Sequence, residues 1–236
     1  MAQYTGTFET GVSGNTVQTS DLGSANKWDD RTFDAAHGTL AYSNVEKYQT
    51  LSCQMVTSAT PAATWVAWTS TTLGSSLADL WGRIYLRESG LPNTSSIPVR
   101  GFDTGSRAWE ILILSDGHIE VRDQGGTTRG TGAVAISTGQ WIRLEFHMTN
   151  HTTAGFMECK LFNSADSDTL SETITSSGSF STLAKTDLIR FGEIQANASR
   201  TIYMDNILVN DTGYPGPFDA PEQRSQHLDF DYSRTF

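Results

Sequence analysis

The chain has 236 residues, 37% of them hydrophobic and 18% charged, enough apolar side chains for a core that needs no metal or disulfide staple. Its formal net charge of -10 comes from 26 acidic against 16 basic residues with no run of Lys or Arg, so nucleic acid, whose phosphates need a basic patch, is not an expected partner. No stretch approaches the roughly 18 apolar residues of a membrane span, and the start MAQYTGTFETG lacks the basic and apolar regions of a Sec signal, so neither is expected.

No window carries a 3.6-residue apolar period. Short runs rich in β-branched and aromatic residues recur instead, separated by Gly, Ser, Asn and Asp clusters. In chain order the spacing predicts strands at YQTLSCQMV (48–56), WGRIYLR (81–87), RAWEILIL (107–114), HIEVRD (118–123), QWIRLEFHM (140–148), GFMECKLFN (155–163), DLIRFGEI (187–194) and TIYMDNILV (201–209). Weaker signals fall at TGTFET near residue 7, around Val17, and at 39–42, 97–102, 132–136 and 168–175. So many strands exceed one open sheet, and two stacked antiparallel sheets are expected.

Alternation in QWIRLEFHM puts Ile142, Leu144, Phe146 and Met148 on a core face, with Trp141, Arg143, Glu145 and His147 on a wet one. WEILILSDGHIEV reads as a hairpin whose Asp116 and Gly117 take the φ > 0 positions of a primed turn. Cys53 and Cys159 read as small buried hydrophobes. After Pro217 the composition turns polar. Within that tail LDFDYSRTF alternates again, placing Leu228, Phe230, Tyr232 and Phe236 on one face as a strand seeking a sheet edge.

Catalytic signatures are sparse. The E-x-D-x-E spacing that would aim paired carboxylates into a cleft is absent, and in HIEVRD the odd spacing of Glu120 and Asp123 turns them to opposite faces. No G-x-S-x-G elbow, H-E-x-x-H helix or phosphate-binding glycine loop occurs. His37, His118, His147 and His151 read as surface or turn residues. For binding, Trp65 and Trp68 in TWVAWTS are the candidates. Three apart on a strand, they point to opposite faces, so one at most reaches a ligand on a given face.

Taken in order, FETG, WGRIYLR with a Pro-containing turn, the hairpin at DGHIEVRD, TGQWIRLEF, RFGEI and IYMDNILVNDTGYPGP form a recognisable series over residues 5–217. The series resembles the concanavalin A-like, or laminin-G-like, jelly-roll domain in the version found in virion proteins of phages that infect actinobacteria. The resemblance implies an all-β, two-sheet antiparallel jelly-roll sandwich over residues 1–217, with a C-terminal assembly arm over 218–236. It implies a non-enzymatic structural component of the capsid or tail, assembled in the host cytoplasm, with other virion proteins and further copies of itself as partners. A cell-surface glycan is the implied ligand.

In such domains the Asp matching Asp205 is a structural residue near a strand end, held by backbone N–H groups or a Ser/Thr hydroxyl. No cofactor is expected. Calcium is the one ion the resemblance leaves open, with Asp29, Asp30, Asp103, Asp116 and Asp205 as candidate ligands. The alternatives are a stand-alone lectin-like module and, behind it, a glycoside hydrolase.

Overall fold

Fifteen strands and a single helical turn account for the secondary structure of the described residues of the computed structural model. It describes residues 2–218 apart from 10, 19–27, 34, 36, 37, 47, 49, 58–62, 74–76 and 196–198. In chain order these are β1 (Gln3–Gly6), β2 (Asp30–Thr32), β3 (Gly38–Ser43), β4 (Ser52–Thr57), β5 (Thr64–Thr69), α1 (Ser70–Leu73), β6 (Asp79–Glu88) and β7 (Ser95–Asp103). There follow β8 (Ser106–Leu114), β9 (His118–Asp123), β10 (Thr128–Ala135), β11 (Ile142–Thr149), β12 (Phe156–Phe162), β13 (Glu172–Thr175), β14 (Leu188–Glu193) and β15 (Arg200–Asn210). Sheet A has the order β13-β12-β11-β6-β15-β4-β3, with β1 also on β15; sheet B has the order β10-β9-β8-β7-β14-β5-β2. Every pairing is antiparallel, and the two sheets form the expected jelly-roll sandwich.

The long alternating runs all become strands, and TWVAWT becomes β5. That strand escapes a period-2 reading because both of its faces are buried and no polar residue marks the turn-about. The region around Val17 forms only an isolated bridge, Thr16 to Ala41. The β8–β9 hairpin is present, but its turn differs from expectation. Ile113 faces Ile119, so residues 115–117 form a three-residue loop in which Gly117 is left-handed (φ 87°) and Asp116 is not. Asp116 instead turns its carboxylate back to accept the His118 N–H at 3.1 Å, which suits a type I turn closed by a left-handed glycine.

Asp205 lies in the middle of β15, not near a strand end as expected. Along one edge of β15, Arg200 to Met204 pair with β4 and Ile207 to Asn210 pair with β1. Asp205 and Asn206 fall in the gap between those two partners, where the ladder to β6 also shifts register. The result is a β-bulge with Asn206 at φ 46°, a conformation Asn tolerates better than most residues. Asp205 holds it by accepting the Asn206 N–H at 2.7 Å, and Arg83 Nε donates to the Asn206 carbonyl at 3.1 Å. The brace on Asp205 is a backbone N–H, as expected, but it comes from the neighbouring residue, and a β6 arginine secures the next carbonyl. Burial pushes the Asp205 carboxyl well above the ordinary carboxylate range.

Between the sheets the core is built on aromatic rings. Trp68 of β5 is fully buried and stacks on Trp28 at 4.6 Å, which in turn stacks on Phe8 at 5.8 Å. Trp109 of β8 lies directly against the backbone of β7, where a Cβ on Gly101 would stand 2.3 Å from the indole; its Nε1 donates to Thr186 Oγ1 at 2.9 Å. Cys53 and Cys159 are free buried thiols, as expected. Their strands stand four spacings apart in sheet A, roughly 19 Å, far outside disulfide reach.

Trp68→Ala should cost about 3–5 kcal/mol, since the ring stack cannot collapse into the space left. Urea unfolding checks this, with a lowered midpoint and unchanged slope as the expected outcome.

Candidate ligand-binding face

Each sheet has an outer face, and the two differ. On sheet A the odd-numbered residues of β6 and β11 point outward, but the expected wet face is dry: Arg143 is 1% and Glu145 3% exposed. The reason is the chain that follows β15. Residues 211–218 run across this face as a strap, with Arg83 Nη1 donating to the Gly216 carbonyl at 2.8 Å and the Phe218 N–H donating to Tyr85 Oη at 2.7 Å. The Tyr214 hydroxyl donates to Glu158, and Lys160 Nζ sits 3.4 Å from the Tyr214 ring centre. Burial, then the Glu158 contact, raise the Tyr214 phenol far above its ordinary value. A second loop helps close the face, for Arg143 donates to the carbonyls of Ala165 and Ser167. At the open end Trp81 and His147 stack at 4.2 Å, so Trp81 presents one ring face to a neighbour.

On sheet B the structure separates the two tryptophans singled out from sequence. Trp68 points inward, and Trp65 stands on the outer face beside Ala67, Ile97, Leu112 and Ile194 in a small second apolar cluster. Trp65 is not an open platform. Arg190 of β14 lies over its ring at 4.1 Å and over the Phe102 ring of β7 at 4.6 Å. The register explains the sandwich. Arg190 pairs with Ala67 and Arg100, while Trp65 faces Gly192 and Phe102 faces Leu188, so the two rings flank Arg190 on opposite diagonals.

Beside this trio the face continues as a charged row. Glu110 holds Arg100 at 2.6 Å and Arg107 at 3.2 Å, and Arg122 pairs with Glu120. Three guanidinium groups thus share two carboxylates on one face of a chain whose net charge is -10. Sequence reading missed Arg100, Phe102 and Arg190. β7 and β14 each carry a single arginine at an outward position, with Phe102 two residues after Arg100, and only the register brings the three together.

Where the two sheets meet at one end, Glu88 of β6, Glu193 of β14 and Arg200 of β15 form a buried clasp, both carboxylates being 1% exposed. Arg200 Nη1 lies 3.3 Å from Glu88 Oε2, and its Nη2 donates to Glu193. One guanidinium serves two acids. Burial pushes the Glu88 carboxyl up to about 7, with Arg200 opposing and Glu193 reinforcing the rise. Glu193 is raised as well, again by burial.

The calcium candidates are otherwise engaged. Asp29 accepts from the Thr69 N–H at 2.6 Å and the Thr72 hydroxyl at 2.7 Å, fastening the α1 turn. Asp103 stands 3.9 Å from Lys185, and Asp116 pairs with His118 at 2.9 Å. Asp30 accepts the Arg31 N–H at 2.8 Å. Among the described residues no group of three or more His, Cys, Asp or Glu side chains could hold a metal ion. The arm residues Leu228, Phe230, Tyr232 and Phe236, and His37, lie outside the described residues.

The clasp gives a signed pH dependence. The folded chain keeps a proton on Glu88 that the unfolded chain releases near the ordinary Glu value, so stability falls as pH rises from about 4.3 to about 7 and then levels off. The decline attributable to Glu88 is on the order of 3 kcal/mol. Urea midpoints between pH 4.5 and 8 check it: Glu88→Gln should flatten that part of the wild-type decline.

No protein-family model and no curated protein sequence matches the chain. Solved structures do match, at low identity. The cellulose-induced protein Cip1 aligns with a TM-score of 0.55 and 17% identity over 79% of this chain and 94% of its own. The binding domain of botulinum neurotoxin serotype C1 aligns with a TM-score of 0.52 and 9% identity, over 89% of this chain and 50% of its own. The binding domain of botulinum neurotoxin DC, in complex with SialylT, gives 0.51 and 8% over 89% and 49%. This chain spans about half the length of those toxin domains, and the likeness establishes a lectin-like jelly-roll sandwich as its fold.

Proposed function

We propose that this chain is a non-enzymatic structural component of a phage particle that displays a lectin-like sandwich and binds a host-cell glycan on the outer face of sheet B. The observation that carries the binding half is the contrast between the faces: the sheet A face is closed by its own strap, whereas the sheet B face carries a row of guanidinium groups, one of them bedded on the buried rings of Trp65 and Phe102. Polar groups held in fixed positions are what orient a sugar's hydroxyl and acid groups. SialylT and, in another structure, two ganglioside molecules are named as what the fold neighbours engage, and this supports the same direction.

The non-enzymatic reading is supported by the state of the acids. Glu110 and Glu120 are each engaged by arginines, and Glu88 with Glu193 sits closed inside the clasp. Neither arrangement offers the free acid and base, set across a substrate, that glycoside hydrolysis requires. The virion assignment is supported by the order of the sequence signals, from FETG to VNDTGYPGP, and by the alternating arm that follows.

Two measurements test this. On a glycan array the full chain should bind a subset of bacterial glycans without releasing reducing sugar, and Arg100→Gln, on the same face, should weaken that binding several-fold. Peptides of the chain should appear in mass spectra of purified particles. Sugar release would show an enzyme, and particles free of the chain would leave a lectin-like module outside any virion.

A further inference from the structure

Arg190 differs from its neighbours on the sheet B face. Arg100 and Arg107 share Glu110, Arg122 has Glu120, and Arg129 has Asp123 at 2.6 Å. Among the described residues Arg190 has no carboxylate within ion-pair distance, and its Nε is buried with no hydrogen-bond partner. The charged groups that act on it are Asp30, two strands away, and Arg100, its repelling neighbour; burial lowers its affinity for its proton. A half-buried guanidinium beside another arginine is an unfavourable arrangement unless something returns charge to it.

What holds it in place is the pair of rings. Trp65 and Phe102 lie against the cation from neighbouring strands, which supports it electrostatically and restricts the side chain before any ligand arrives. A stacked guanidinium keeps its N–H edge free, and that edge matches a planar carboxylate with two parallel hydrogen bonds. Arg100, committed to Glu110 at 2.6 Å, contributes positive potential without competing for the ligand.

We propose that Arg190, clamped between Trp65 and Phe102, is the receptor for the carboxylate of an acidic sugar, so that the glycan bound by this face is a uronate- or sialate-type polymer and not a neutral one. The assignment rests on the glycan-binding reading above. It explains why a chain of net charge -10 keeps an unshared arginine at the centre of one sheet face. The rings then hold the guanidinium in place, and the guanidinium selects the acid of the sugar.

The test uses the full chain on an array carrying each acidic glycan beside its carboxyl-reduced form, together with neutral and phosphate-bearing polysaccharides. Acidic forms should bind roughly ten- to a hundredfold more tightly than their reduced partners, and the preference should shrink between 50 and 500 mM salt, concentrations spanning about 14 to 4 Å in screening length. Arg190→Gln and Arg190→Met should abolish the preference while circular dichroism stays as in wild type and melting shifts little, least for Met, which still covers the two rings, because among the described residues Arg190 makes no ion pair whose loss would unfold the sheet. Arg190→Lys should recover only part of it, keeping charge without the planar fork. Equal binding of acidic and reduced forms, or an acid preference that survives Arg190→Gln, overturns the assignment and leaves glycan binding standing. Selective binding of phosphate-bearing polymers also overturns it. No binding to any glycan removes the underlying reading, and the assignment with it.

Discussion

The sandwich depends on one strand finding its place late in the chain. β15 lies between β6 on one side and β4 and β1 on the other, so residues 200–210 unite segments that begin at residues 3, 52 and 79. None of those ladders can close until the chain has been traversed almost to its end. Contacts of such long sequence separation carry their loop-closure entropy before they return any stabilisation. The bulge at Asp205 and Asn206 is the physical trace of this arrangement. It marks where one edge partner stops and the next begins, and where two backbone groups would otherwise face a gap.

Much of this was legible in residue order. Period-2 alternation in β6, β8, β9, β11 and β12 is strong because each has one face in the core, and the hairpin at Asp116–Gly117 is local. The spacing of Trp65 and Trp68 correctly sends one ring into the core and the other out. β5 was hidden because both its faces are buried. Arg143 and Glu145 looked wet because a strand pattern records which face is polar, and cannot record that a distant segment will cover it. The clasp of Glu88, Glu193 and Arg200, and the setting of Arg190, have no local signature, since each is assembled by register between strands from separate parts of the chain.

The two outer faces illustrate how one architecture separates stability from recognition. Sheet A spends its polar residues internally, on carbonyls of the strap and of the loop near residue 165, and becomes a third, partly buried layer. Sheet B keeps its arginines on the surface, in shared pairs with one left over. A fold of this kind hosts unrelated activities, so the arrangement of those side chains, and not the sandwich itself, carries the functional meaning.

The route of the strap also has a mechanical meaning. Because the chain leaves over the middle of sheet A, a load applied beyond Phe218 would meet the Phe218 to Tyr85 contact first, then the Gly216 carbonyl on Arg83, then Tyr214 on Glu158. These yield in sequence, like the teeth of a zipper. β15, with neighbours on both edges, meets the force only afterward, and along its length as shear. Under such a load these contacts would act as a fuse ahead of the core, parting and re-forming while the two sheets stay packed.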